Sequence, residues 1–375
     1  MKLNIIKIFI IIIFLCASLI SIYKGFYNAQ KISFDFHYSP TKLVSQGINH
    51  YQYILENKHD GSLNDEIKYA QNGNYAQGLF VILLPFTFLD WDNAKLVWSI
   101  INIIIAISIP IVLSKKFDLN NFQTFIVTTI FLSSTIFRIH IGYGQQTLLM
   151  FIFFILPFVK MTNLNIILSG IAFFKYNIGY GLFLYIASLR KFKLILLSCI
   201  PLVLGWLIYC SITNTNLITN IFEPLKVILF WNSNENHFPV TIFSLLKYFN
   251  LNSLIILIIP ILINFYLLLK LRYLSDQLLI LSLLCLSILA FTPHQLHDYV
   301  LLIPMLIYSI KNFNSIYSKI NIIFIIYVFY GLRIISVFTN LQPWDFPYGV
   351  MGYVNNTITM MILLINIYYI NKKIS

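Results

Sequence analysis

The sequence predicts an all-helical, polytopic membrane protein, and three observations carry that reading. Hydrophobic residues make up 59% of the 375 positions, whereas Asp, Glu, Lys and Arg together make up 10%. The mean hydropathy of +0.80 is concentrated in unbroken apolar runs such as "IFIIIIFLCASLISIY" at 8–23. A helix needs about 20 apolar residues to cross a hydrocarbon core of about 30 Å, and such runs supply them. They do not alternate between polar and apolar as strands of a membrane barrel would. The net charge of +12 sits mostly in short Lys/Arg clusters beside the apolar runs. It therefore reads as an orientation signal and headgroup contact, not as a nucleic-acid footprint.

Taken in order, the expected spans are 5–23, 94–113, 121–138, 147–160, 193–211, 253–270, 276–292, 299–311, 320–338 and 353–370. Lys2 and Lys7 precede the first run as in a signal peptide, but the run is long and no small-x-small cleavage site follows it. It is expected to be an uncleaved helix with a cytoplasmic N-terminus. "RKFK" (190–193), "KLR" (270–272), "KNFNSIYSK" (311–319) and "NKK" (371–373) fall alternately on one side, as the positive-inside rule requires. Lys115 and Lys116 join them if "GLFVILLPFTFLDWD" (78–92), with Pro85 in its middle, lies in the outer interface and does not cross. Between 163 and 190 the chain must go out and return. Two short helices turning near Lys175 meet that need, as a hairpin reaching partway into the membrane. About twelve membrane segments result, with both termini in the cytoplasm. The chain forms one membrane domain, 1–375. It comprises a first external loop with interfacial helices (24–92), a core (94–311) and C-terminal helices (320–370). Cys16, Cys199, Cys210 and Cys285 lie inside apolar runs without metal-ligand spacing, and no structural disulfide is expected.

All seven histidines (37, 50, 59, 140, 237, 294 and 297) fall on the outer side of this topology, with Asp35, Arg138, Gln145, Gln146, Lys175 and Asp298. Ionisable groups gathered at one mouth of a membrane protein point to a site. In "KISFDFHYSP" (31–40), Asp35 stands between Phe34 and Phe36, followed by His37 and Tyr38. Aromatic neighbours desolvate a carboxylate and make it a better base. The bland alternative is a solvated loop residue or a cap for a helix starting near 39–41. In "TPHQLHDYVLLIP" (292–304), a helical turn over 294–298 would put His294 on one face with His297 and Asp298, suited to phosphate binding, proton relay or metal ligation. A polar cap on the following span is the structural alternative, and a third metal ligand is lacking. "FRIHIGYGQQ" (137–146) supplies Arg138, His140 and two amides beside glycines that allow close backbone approach. Lys175 in "AFFKYNIGYG" needs a counter-ion, for which a lipid phosphate would serve, unless it snorkels to the surface. No phosphate-binding loop, dinucleotide fingerprint, serine-elbow or zincin motif occurs.

Further motifs complete an order. Gly47 and Tyr51 follow Asp35 and Tyr38. Then come Pro85, Ala94, Trp98 and Asn102, the pair Gly144-Gln145, Lys175, and the His294/His297/Asp298 group. This order, over most of 1–310, resembles the GT-C type of integral-membrane glycosyltransferase. The likeness is to glycosyltransferase family 87 in particular, which uses polyprenol-phosphate sugars and is related to bacterial alpha-mannosyltransferases. It departs from that pattern at His50, at "YAQG", at Thr147 and at Ile178. The resemblance implies an inverting sugar transfer on the outer, periplasmic face of a bacterial plasma membrane. A hexose or pentose, mannose among them, would move from a polyprenyl-phosphate donor to a lipid or glycan acceptor. Asp35 would be the catalytic base. Lys175, Arg138, His294 and His297 would meet the donor phosphate. Asp298, His140, Gln145, His37 and Tyr38 would complete the substrate site. The apolar spans would hold the polyprenyl tail among membrane lipids. No metal or other cofactor and no nucleic acid is implied. Two other classes fit the same composition. A transporter or flippase of a lipid-linked or anionic substrate needs no base, and no inverted repeat favours it. A membrane polysaccharide polymerase or ligase would carry larger late outer loops.

Overall fold

The computed structural model describes residues 2–31, 36–57, 75–234, 253–339 and 348–374. Among them there are helices and no strands. The first part contains α1 (Lys2–Lys31), α2 (Tyr38–Ser45), α3 (His50–Asn57), α4 (Gln77–Leu83), α5 (Trp91–Lys116), α6 (Asn121–Leu132), α7 (Thr135–Gly142) and α8 (Thr147–Val159). The middle holds α9 (Asn163–Ser169), α10 (Tyr176–Ser188), α11 (Phe192–Thr213), α12 (Leu217–Asn220) and α13 (Glu223–Asn234). The last part holds α14 (Ser253–Leu271), α15 (Gln277–Phe291), α16 (Ile303–Lys311), α17 (Ile316–Thr339) and α18 (Tyr348–Ile374).

Three of these, α1 over Ile8–Lys31, α5 and α11, are long and apolar enough to cross a membrane. The pair α6–α7 would make a fourth if counted as one bent span. Several shorter apolar helices, α8 and α15 among them, accompany them. The burial pattern suits an apolar solvent. On α11 the stripe Leu196, Ile200, Val203, Leu204, Leu207 and Ile208 faces outward, while Ser198, Gly205, Tyr209, Cys210 and Thr213 are buried. That inverts the soluble-protein rule and follows the membrane rule that small and polar residues make helix contacts. Gly205 shows why: a Cβ there would come within 2.5 Å of the Gly78 backbone on α4. At the centre of the bundle, every residue of α15 from Leu278 to Phe291 is buried, against α10, α16 and α18.

Most element boundaries follow local chemistry, and three differ from the expectation. The stretch 121–138 does not run as one helix. Ser133 ends α6, Ser134 caps α7 by accepting from Phe137 N, and the axis turns by 58°. The stretch 78–92 is not one helix either. It tightens from α4 into a 3-10 turn at Leu84–Phe88, with Pro85 at the start, and Asp90 then caps α5 by accepting from Asn93 N. The expected span 299–311 begins as a 3-10 helix, Leu296–Leu302, and becomes α16 just before Pro304. By contrast, two short helical arms do meet at Lys175: α9 continues into a 3-10 turn at Gly170–Phe174, and α10 follows.

Candidate functional site

Lys175 sits where that 3-10 turn stops and α10 starts, in extended backbone. The turn is pressed onto α11 at Gly170, where a Cβ would lie 1.9 Å from the Ser198 carbonyl oxygen, so only glycine fits. Lys175 is buried, and its ammonium donates to Asp298 Oδ1 at 2.7 Å and to Thr147 Oγ1 at 2.6 Å. It also faces Tyr75, with the ring centre 5.8 Å away. Thr147 opens α8, and its hydroxyl donates in turn to Asp298 Oδ1. Asp298 lies in the 3-10 turn before α16, where its other oxygen accepts from the Gln295 backbone N at 3.1 Å. An ion pair with both side chains 3% exposed survives only when its remaining hydrogen-bond capacity is met, and Thr147 and Gln295 meet it.

Three histidines ring this pair. His297 Nε2 is 3.6 Å from Asp298 Oδ1. His140, at the end of α7, points Nδ1 at the His297 carbonyl oxygen at 3.3 Å, with ring centres 6.2 Å apart. His294 points Nδ1 at the Thr292 carbonyl oxygen at 3.0 Å and packs edge-on to Tyr299. His140 Nε2, His294 Nε2 and His297 Nδ1 are buried and have no hydrogen-bond partner.

Next to Thr147, Gln146 donates from Nε2 to the Phe36 carbonyl oxygen at 2.7 Å. Phe36 is locked by aromatic stacking on Trp98 and Trp91, with ring centres 5.1 and 5.8 Å away. Trp98 itself donates from Nε1 to the Gly144 carbonyl oxygen at 2.7 Å. The segment that follows Phe36 is equally fixed. His37 is buried with a left-handed φ of 66°, edge-on to Tyr75, and Tyr38 OH donates to the Leu89 carbonyl oxygen at 2.7 Å. His37, not Asp35, occupies the position before α2.

Of the residues expected in the site, Lys175, His140, His294, His297 and Asp298 come together. His37 and Tyr38 lie in the aromatic nest around Phe36. Gln145 stays half-exposed, and its neighbour Gln146 is the amide turned inward. Arg138 is half-buried two residues before His140 and donates from Nη2 to Thr135 Oγ1 at 3.1 Å. Asp35, His59 and His237 lie outside the described residues. Lys175 is paired with the chain's own Asp298. One expectation is corrected. The helical turn over 294–298 begins only at Leu296, so His294 precedes it and reaches the cluster from extended backbone. Thr147 and Tyr75 were not foreseen as members. Thr147 stands where the resembling family has Asn, and that departure was the one available signal.

A second buried polar cluster joins α3, α4 and α11 to the start of α13. The Glu223 carboxylate, 3% exposed, accepts from Asn49 Nδ2 at 2.8 Å, Gln52 Nε2 at 2.9 Å and Asn220 Nδ2 at 2.5 Å. Tyr209 OH bridges Asn49 Oδ1 and His50 Nδ1, while Gln77 Nε2 holds Asn220. Among the described residues no three His, Cys, Asp or Glu are grouped as a metal site, and the four cysteines are free thiols. The chain matches no protein-family model, no curated protein and no solved structure.

Proposed function

We propose that the chain moves a sugar, with inversion, from a polyprenyl-phosphate donor to a hydroxyl of a lipid or glycan acceptor, on the outer face of a cell membrane. One observation carries this reading. Gln146 ties the Phe36 carbonyl, one residue after Asp35, to the helix end that also supplies Thr147 to the Lys175–Asp298 pair. Phe36, the residue after the candidate base in sequence, is thereby tied to the buried polar cluster. Asp35 takes the proton from the acceptor hydroxyl as its oxygen attacks the anomeric carbon. The bond from that carbon to the phosphate oxygen breaks, and the lipid phosphate leaves with the electron pair. Arg138 and Lys175 are the cations offered to the leaving phosphate, and fixed charges of this kind stabilise the charge that develops on it; the three histidines border the same donor head. The exposed apolar stripes of α1 and α11 accommodate lipid.

Transfer from a polyprenyl-phosphate sugar to a lipid or glycan acceptor in detergent tests this. Asp35→Asn preserves shape and removes the base, so turnover should fall by roughly 10²–10⁴-fold, with donor binding retained. Wild-type turnover in that variant would end the assignment of Asp35. Translocation of the lipid with no glycosidic product would instead support a flippase.

A further inference from the structure

Three of the unpartnered buried atoms around Lys175 and Asp298, namely His140 Nε2, His294 Nε2 and Gln146 Oε1, are of one kind. A carbonyl oxygen only accepts, so an imidazole nitrogen facing one must carry the proton. His294 Nδ1 faces the Thr292 carbonyl and His140 Nδ1 faces the His297 carbonyl. Both neutral rings are therefore Nδ1–H tautomers, and each turns a bare Nε2 lone pair into the protein. The same logic orients Gln146. Its amide N–H₂ donates to the Phe36 carbonyl, so the opposite atom is Oε1, buried and without a partner. The Lys175 ammonium is engaged, because it directs its N–H bonds to Thr147 and Asp298 and faces Tyr75.

We infer that His140 Nε2, His294 Nε2 and Gln146 Oε1 form a subsite that accepts hydrogen bonds from a hydroxyl-rich head, the sugar of the donor and not its phosphate. A phosphate is an acceptor at neutral pH and would meet these lone pairs with repulsion, whereas sugar hydroxyls donate. Buried acceptors left open on three separate elements are the signature of a site awaiting a donor-bearing ligand. The sugar's identity as the ligand rests on the glycosyl-transfer reading. The tautomers do not.

Nitrogen NMR of the full chain, labelled at histidine and held in detergent at a pH where imidazoles are neutral, separates the two. Signals lost in His140→Phe and His294→Phe identify the rings. Both should show a protonated Nδ1 and an unprotonated Nε2, and a protonated Nε2 on either ring overturns the proposal whatever the reaction is. Mannosyl polyprenyl phosphate should then move both Nε2 signals, and bare polyprenyl phosphate should leave them in place. His294→Phe should weaken the mannosyl lipid roughly tenfold, the value of one lost hydrogen bond, with bare-lipid affinity kept. Equal loss for both lipids, or mannosyl lipid binding with unmoved Nε2 signals, overturns the subsite. If neither lipid binds wild type, the polyprenyl-donor reading falls and the tautomers alone decide whether the acceptor assignment stands.

Discussion

The Lys175 cluster and the Glu223 cluster are both polar islands in an apolar bundle, but they differ in what they leave unused. Around Glu223 the carboxylate is met by three amide donors, and the hydroxyl and amide partners are met in turn. Around Lys175 the ion pair is satisfied, yet two imidazole Nε2 atoms, one Nδ1 and one amide oxygen are not. Nothing in folding favours leaving buried acceptors open, since each costs about 1–3 kcal/mol. A complete network acts as a fastener, here joining α3 to α11 and α13. The incomplete one is where the proposed subsite lies.

The largest expected effect tests the ion pair. Asp298→Asn leaves Lys175 buried without its counter-ion and should lower stability by about 3–5 kcal/mol, read as thermal unfolding in detergent. Lys175→Met combined with Asp298→Leu removes both charges and should regain most of that loss without restoring sugar transfer. Recovery of transfer in the double variant would make the pair a fastener as well, and the contrast between the two clusters would disappear.

A smaller effect is expected at Glu223. Glu223→Gln puts an amide where three donors converge and should cost about 1–3 kcal/mol. Transfer per folded molecule should stay at the wild-type level. A tenfold loss of transfer at unchanged stability would bring this cluster into the site. The smallest change is Tyr209→Phe. It removes one hydroxyl from Asn49 and His50, and about 0.5–1.5 kcal/mol of stability should go with it. A larger drop would mean that Tyr209 anchors the whole of α3 to the bundle.

Much of the helical layout could be read directly. Hydropathy located α1, α5 and α11, and Lys175 between two short apolar stretches marked the junction of two short arms. Breaks inside apolar runs were harder. Ser133 and Ser134 look like ordinary helix residues until the second accepts a capping bond from Phe137 N. In the site, Gln145 and Gln146 are equivalent by composition, and only the turn of the chain at Gly144, φ 63°, decides which side chain enters. His294, His297 and Asp298 were legible as a group. Their geometry was not, because the 3-10 turn starts after His294.

Residue order alone marks a helical chain suited to apolar surroundings, because hydropathy and capping act over a few residues. It also marked a buried Lys as needing a partner, because a charge in such surroundings demands one. That the partner is Asp298, 123 residues away, with Thr147 between them, emerges from the folded arrangement. It alone decided which nitrogen of His140 and His294 carries the proton, since each tautomer depends on a carbonyl oxygen held nearby by the packed backbone. Pairing across the chain and proton placement arise from packing, and no local pattern of residue types encodes them.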